Sequence, residues 1–343
     1  MGHSAAELNG MHLVHFKLQG EGDMDLGRCS FAMKMFILSF LLLPVTSQAQ
    51  NASPLPLGPM DGNVDLQWQR KPMPPRGDAW AKATFNEQET LRKSFLLEST
   101  REGVALEIDS FIGSIQVAGT DSDRAELVVT KTFRANSKEA LERARKEVSL
   151  DINQDRGLLK LVVNGKFRCQ DTCMEPPGHE PYSVKMDFQI VVPRAIALKL
   201  RTVNEGDIRV SHVHGAYEIH NVDGNIDMQD IRGSGVARSV NGEVKIDFSE
   251  NPEQASSFGT VNGNVELHFV KDLSADFRLK TFNGGIVSDF PLDSVPPQKD
   301  GEIRGGKMVL SANRYTEGRV GFGRPEIIVD TLNGNIRILE RHE

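Results

Sequence analysis

A short unit of the form x-V-N-G-x-I-x-I recurs six times in the second half of the chain, and this recurrence limits the possible folds more than any other feature. The copies are RTVNEGDIRV (201–210), HNVDGNIDM (220–228), RSVNGEVKI (238–246), GTVNGNVEL (259–267), KTFNGGIVS (280–288) and DTLNGNIRI (330–338). Their glycines Gly206, Gly224, Gly242, Gly263 and Gly284 fall 18, 18, 21 and 21 residues apart, and Gly334 follows after 50. A weaker forerunner, DSFIGSIQV, begins at Asp109. Periods of this size mark arrays in which each repeat buries its apolar face only against its neighbours. A meander of hairpins has no reason to keep like turns at near-constant spacing. The pattern therefore predicts an all-β chain, a β-solenoid of the right-handed β-helix kind, that hand being the commoner one for parallel crossovers.

Within each unit two apolar columns are expected to face inward. Val203, Val222, Val240, Val261, Phe282 and Leu332 precede the turn, and Ile208, Ile226, Val244, Val265, Ile286 and Ile336 follow it. The Asn-Gly pair is expected to supply the positive φ of a tight turn. Asn204, Asn241, Asn262, Asn283 and Asn333, with Asp223 in one place, are expected to stack as a side-chain ladder.

Upstream, VALEID, SIQVAG, AELVVTKTF, GLLKLVVNGKF and YSVKMDFQIVVP alternate as strands do. One helix is predicted in NSKEALERARKEVSL, capped by Asn136 or Ser137, with Ala140, Leu141, Ala144 and Val148 on one face; it is the natural cover for an end of the array. Residues 291–329 read as a long excursion inserted in the repeat, a place where loops carry function. The repeat domain is expected over 95–343, preceded by a Pro- and Gly-rich leader at 50–94.

From Met33 the text MKMFILSFLLLPVTSQAQ has a charged start, a short apolar run and the small-x-small Ser47-Gln48-Ala49, which predicts a signal peptide over 33–49 cleaved after Ala49. Initiation is then expected at Met33 or Met35, with residues 1–32 as an upstream extension. The apolar run is too short to span a bilayer, so no integral membrane span is expected. Export to the periplasm or beyond puts Cys169 and Cys173, spaced C-x3-C, in an oxidising compartment that favours a local disulfide. A metal site using both sulfurs and His179 lacks an evident fourth ligand.

A formal charge of −7 with scattered Lys and Arg leaves no basic patch for nucleic acid. Parallel β-helices include polysaccharide-cleaving enzymes, and Asp207, Asp227, Asp230 and Asp247 stand in neighbouring units; carboxylates at outward strand positions are ordinarily solvated, so no catalytic residue is assigned. SHVHGAYEIH places His212 and His214 on one face of a strand, a spacing that suits zinc or copper, but register with the next unit sets His212 beside Asp230 and His214 beside Arg232. The cation weakens the metal reading. Calcium β-rolls need a nine-residue period, and no phosphate loop or Ser-His-Asp order is present. No cofactor is expected.

The segments FIGSIQVAGTD, AELVVTKTFRANSKEALERARKEVSLDI, DFQIVVPRAIALKLRTVNEGDIRV, the VNG units and GRPEIIVDTLNGNIRI together resemble the bacterial "putative adhesin" family of β-strand repeats, a domain of unknown function similar in style to autotransporter-adhesin head domains. The resemblance covers about 95–340 and implies a β-helix-like fold, an envelope location and adhesion or an envelope-stress role, with no catalytic residues to carry over. The Cys169–Cys173 loop, the excursion after Phe290 and the late Gly206 depart from the family pattern. The expected function is a non-catalytic binder of an envelope protein or glycan, or of itself; the alternative is a sensor partnering a membrane protein.

Overall fold

The computed structural model describes residues 83–97, 103–155, 157–168, 181–294, 301–304, 307–310 and 315–341. All of these fall in the unit Arg70–Glu343. The expected signal peptide, most of the leader, and Cys169, Cys173 and His179 lie outside the described residues.

In chain order the elements are β1 (Phe85–Leu96), β2 (Val104–Asp109), β3 (Ile115–Thr120), β4 (Arg124–Ala135), α1 (Lys138–Glu147), β5 (Ser149–Asp155), β6 (Leu158–Asn164) and β7 (Tyr182–Pro193). The repeats follow as β8 (Ile196–Thr202), β9 (Ile208–Ser211), β10 (Tyr217–Asn221), β11 (Ile226–Ile231), β12 (Gly235–Arg238), β13 (Val244–Phe248), β14 (Ser256–Asn262), β15 (Val265–Phe269), β16 (Ala275–Asn283) and β17 (Ile286–Ser288). Then come β18 (Asp293–Ser294), the hairpin β19 (Gly301–Arg304) and β20 (Lys307–Leu310), β21 (Thr316–Val320), β22 (Glu326–Asn333) and β23 (Ile336–Glu340). The leader expected over 50–94 ends earlier than its composition indicated, because β1 pairs antiparallel with β4 from Phe85 onward.

Two sheets carry the fold. One runs β1-β4-β7-β3-β9-β11-β13-β15-β23-β17, the other β18-β21-β16-β22-β14-β12-β10-β8-β2-β6-β5. Each repeat places its strand before the turn in the second sheet and its strand after the turn in the first, and like strands pair in parallel. A parallel ladder with apolar inner faces explains why one pattern can recur unchanged. The α1 helix, N-capped by the Ser137 hydroxyl, buries Ala140, Leu141 and Ala144 against β4 and β7.

The order of the rungs is not the order of the chain. β22 and β23 lie between β14/β15 and β16/β17, so the last repeat is inserted ahead of the one that precedes it in sequence. Within the 291–329 stretch β18 and β21 lie outside β16, and β22 then pairs on its inner side. At the other end β6 and β7 likewise lie outside β2 and β3.

The column after the turn is buried as expected: Ile208, Ile226, Val244, Val265 and Ile336 have no exposed surface, and only the end residue Ile286 is partly open. The column before the turn is reversed. Thr202, Asn221, Ser239, Thr260 and Thr331 face inward and are buried, and their apolar successors face out. Strand parity is the cause, since Leu198, Leu200 and Thr202 occupy one face and side chains alternate.

These inward polar groups are paired. Thr202, Ser239, Thr260, Thr281 and Thr331 each donate a hydroxyl, and Asn221 its amide, to a glycine carbonyl of the adjacent rung at 2.8–3.0 Å. Thr260→Val keeps the shape but leaves the Gly242 carbonyl without this donor. A loss of about 1–2 kcal/mol is expected, read as a lower urea midpoint with unchanged slope.

The glycines also serve a purpose other than the expected one. Positive φ occurs at Gly224, Gly263 and Gly334 but not at Gly206, Gly242 and Gly284. What all six share is contact: a Cβ on any of them would stand 1.8–2.2 Å from a glycine carbonyl oxygen of the adjacent rung. The one-residue delay at NEGD is absorbed by Glu205 at φ 51°.

Candidate functional site

The expected asparagine ladder exists, in a different order. Asn262 donates to Asn241 at 2.8 Å, Asn333 to Asn262 at 2.8 Å and Asn283 to Asn333 at 2.7 Å. Asn333 thus sits between Asn262 and Asn283. Asn204 and Asp223 join their neighbours through backbone bridges, Asn204 with Ile112 and Asp223 with Asn241. Next to this ladder a second one forms, in which side-chain oxygens of Asp207, Asn225, Asn264 and Asn335 accept backbone amides of the following rung.

The reversed column creates a surface. Register places Val203, Val222, Val240, Val261, Leu332 and Phe282 side by side, one per rung, on the outer side of the turn edge. The four valines are partly buried, and Leu332 and Phe282 are exposed at 45% and 73%. Toward the other end the row meets Phe111, stacked on Phe167 with centroids 4.3 Å apart. The adjoining outward row holds Arg201, His220, Arg238, Gly259, Asp330 and Lys280. Arg238 reaches across Gly259, where no side chain intervenes, to grip both oxygens of Asp330 at 2.9 and 3.2 Å.

The first sheet presents a charge row, Arg209, Asp227, Lys245, Glu266 and Arg337, alternating in sign from rung to rung. Opposite charges on facing strands stabilise the register. Glu266 receives His268 at 2.8 Å, Lys245 at 3.0 Å and Arg337 at 3.2 Å. The hydrogen bond from His268, followed by Lys245, draws its carboxyl down to about 2. A depressed carboxylate contributes stability above its unfolded pKa of ~4.3 and loses it as pH falls through the folded value. Glu266→Gln is therefore expected to destabilise at neutral pH, with the gap from the wild type closing between pH ~4.3 and ~2 in thermal melts.

Beside the charge row, toward β3 and β7, a groove of about 510 Å³ is lined by Gln116, Gln189, Gln229, Arg209, Ser211 and Asp227 over a floor that includes Val128 and Ala118. A larger hollow of about 760 Å³ at the opposite turns holds Glu253, Asp272, Asp276, Arg324 and Glu326. Arg319 at 2.6 Å holds Asp276 below the usual carboxylate range.

The paired histidines are not on a strand. β9 ends at Ser211, and His212 adopts φ 56° in the turn beyond it. The register expectation holds at His212, whose Nδ1 lies 2.5 Å from Asp230 Oδ2. The Ser249 hydroxyl and His212 pull the Asp230 carboxyl to about 2. Burial, then Arg232, pushes His214 down, which favours its neutral form. The other carboxylates of the possible acid row are engaged: Asp207 with Arg209 at 2.8 Å, Asp227 with Gln229 at 3.4 Å and Asp247 with Arg341 at 3.1 Å. Among the described residues no cluster of His, Cys, Asp and Glu is arranged to hold a metal, and no helix is long and apolar enough to cross a membrane.

The stack of VNG turns across both sheets is the region that a known family shares. Residues 194–309 match the Toastrack DUF4097 family. The Toastrack segment begins just before β8 and contains five of the six VNG units. Three solved structures are similar at low identity. A "putative cell adhesion protein" from Clostridium sporogenes is 8% identical, with 74% of this chain and 100% of that one covered and a TM-score of 0.35. A "putative adhesin" from Bacteroides fragilis is 9% identical, with 74% and 97% covered and a TM-score of 0.26. A "putative lipid binding protein" from Parabacteroides distasonis is also 9% identical, with the same coverage and a TM-score of 0.23. No curated protein matches the chain.

Sequence reasoning missed the outward apolar row and the glutamine-lined groove. Parity along Leu198-x-Leu200-x-Thr202 was the available signal for the row. The groove joins β3, β7, β9 and β11, which no local pattern relates.

Proposed function

We propose that this protein is an exported, non-catalytic recognition scaffold of adhesin type. Its Toastrack repeats form a two-sided solenoid that holds a partner protein along the turn edge. The observation that carries this reading is the outward apolar row from Val203 to Phe282, partly open along its length and exposed at Leu332 and Phe282. A contiguous apolar stripe bordered by polar residues is the surface that a protein partner covers. The row lies on the stacked turns, where the glycine column and both side-chain ladders hold its residues at fixed intervals. A rigid, evenly spaced surface lowers the ordering cost of binding. The carboxylates of the possible acid row are committed to cations, amides or His212, which supports recognition over turnover.

A second reading has its own observation. Three carboxamides, Arg209, Asp227 and a small apolar floor in the first-sheet groove suit the hydroxyls and the C–H face of a glycan.

The two are separated with the mature form, residues 50–343, immobilised against envelope extract and a glycan panel, beside Phe282→Ser/Leu332→Ser and Gln189→Ala/Gln229→Ala. The expected result is one protein retained by the wild type, lost at least tenfold in the Phe282/Leu332 variant at unchanged Tm, with no oligosaccharide released. Glycan binding lost only in the glutamine variant moves the site to the groove. Release of oligosaccharide overturns the non-catalytic reading, and an amino terminus other than Gln50 on protein recovered from the cell envelope overturns the expected cleavage.

A further inference from the structure

We infer that Asn283 is a site of spontaneous deamidation, set apart from the other Asn-Gly pairs by its place at the end of the ladder. Asparagine followed by glycine is chemically vulnerable because the glycine backbone nitrogen can attack the asparagine Cγ. A five-membered succinimide forms, the side-chain nitrogen leaves as ammonia, and water then opens the ring to aspartate or isoaspartate. No oxidant or second reactant besides water is needed. The rate depends on whether that backbone nitrogen is free to move.

In the stacked rungs it is not. Gly242 donates its amide to Asn262 O at 3.0 Å, Gly263 to Asn333 O at 3.0 Å and Gly334 to Asn283 O at 3.0 Å. Each donation points from one rung to the next, and each must break before the nitrogen can attack. Gly284 belongs to the last rung. Among the described residues its amide has no acceptor, because no rung stands beyond β17. One side of Gly284 rests on Gly334, and Gly285 after it is held on that same side, its amide donating to Asn335 Oδ1 at 2.9 Å. The nucleophile itself, the Gly284 nitrogen, is thus without the bond that locks its counterparts in the other rungs.

The product differs in consequence from a change elsewhere. Asn283 donates its side-chain amide to Asn333 at 2.7 Å, and an aspartate has no hydrogen to offer there. An isoaspartate also lengthens the backbone just before β17, which among the described residues pairs with β23 alone. Asp223 shows that a carboxylate can occupy a rung, so the fold tolerates the acid while the terminal strand loosens. Asn164-Gly165 lies outside the ladder; its side chain donates to Asp151, and it serves as an independent reference.

The test ages the purified full-length chain in warm, mildly alkaline buffer and follows each Asn-Gly peptide by mass spectrometry and isoaspartyl labelling, beside a sample kept unfolded in urea. Asn283 is expected to convert at least about tenfold faster than Asn241, Asn262 and Asn333 in the folded protein, the factor that ~1.4 kcal/mol for one retained hydrogen bond produces. In urea the four rates are expected to converge. Equal rates in the folded chain overturn the inference, and so does a preference for Asn283 that persists in urea, which would make it a local sequence effect. Asn283→Gln is expected to abolish the signal at that position and leave the other three rates unchanged.

Discussion

Truncation after Pro325 is expected to unfold residues 275–294, although every one of them remains in the chain. β16 and β17 have β22 and β23 as their parallel partners, and the other strand paired with this rung is the short antiparallel β21, which also holds β18. The cut also removes Ile327, Val329, Ile336 and Ile338, all fully buried. At roughly 1.5–3 kcal/mol for each buried aliphatic side chain, that is about 6–12 kcal/mol, comparable with the whole stability of an ordinary domain. Hydrogen exchange is the measurement. Protection over 275–283 should fall to the level of an unfolded chain, with exposure spreading to Phe269, which stacks at 5.0 Å on Phe248. If the rungs followed chain order, the cut would peel one end and leave 275–283 protected. Persistent protection there would refute the inserted arrangement.

Gly334→Ala is expected to be the most damaging single substitution in the array. Its Cβ would lie 1.8 Å from the carbonyl oxygen of Gly263 and 2.5 Å from the carbonyl carbon, and a backbone neighbour cannot turn aside as a side chain would. The inserted rung must move away from β14 and β15, which strains the Asn262–Asn333 bond and the Thr331–Gly263 bond together. About 3 kcal/mol or more is expected to be lost, a fall in Tm on the order of 10 °C for a domain of this size. Gly285→Ala is the control, with its Cβ meeting nothing closer than 3.6 Å, and is expected within about 1 kcal/mol of the wild type. Similar melting of the two variants would show that close approach is not the reason for the glycine column.

The outward row has a different legibility from the buried one. Ile208 and its equivalents were readable because an apolar residue two positions from another on a strand must share its face. Val203 and Phe282 were misread because apolar character was taken ahead of parity. The inward place had gone to a hydroxyl or amide that a neighbouring carbonyl requires, since a buried carbonyl left unpaired costs more than an exposed valine. His212 and Asp230 were matched correctly from repeat register, while the positive φ that lifts His212 off the strand has no local sequence signal.

The sequence by itself determined the repeat unit, the alternation of strands, the capped helix and the chemistry of the asparagine ladder, because each depends on residues within a few positions of one another or on identical units meeting in register. Only the tertiary structure decided which rung neighbours which, and with it the place of Asn333 between Asn262 and Asn283, the open end at Gly284 and the groove beside the charge row. Six nearly identical units pair almost equally well in any order. The order adopted is the one with β18 and β21 outside β16, and that is a property of the chain's path rather than of any local pattern.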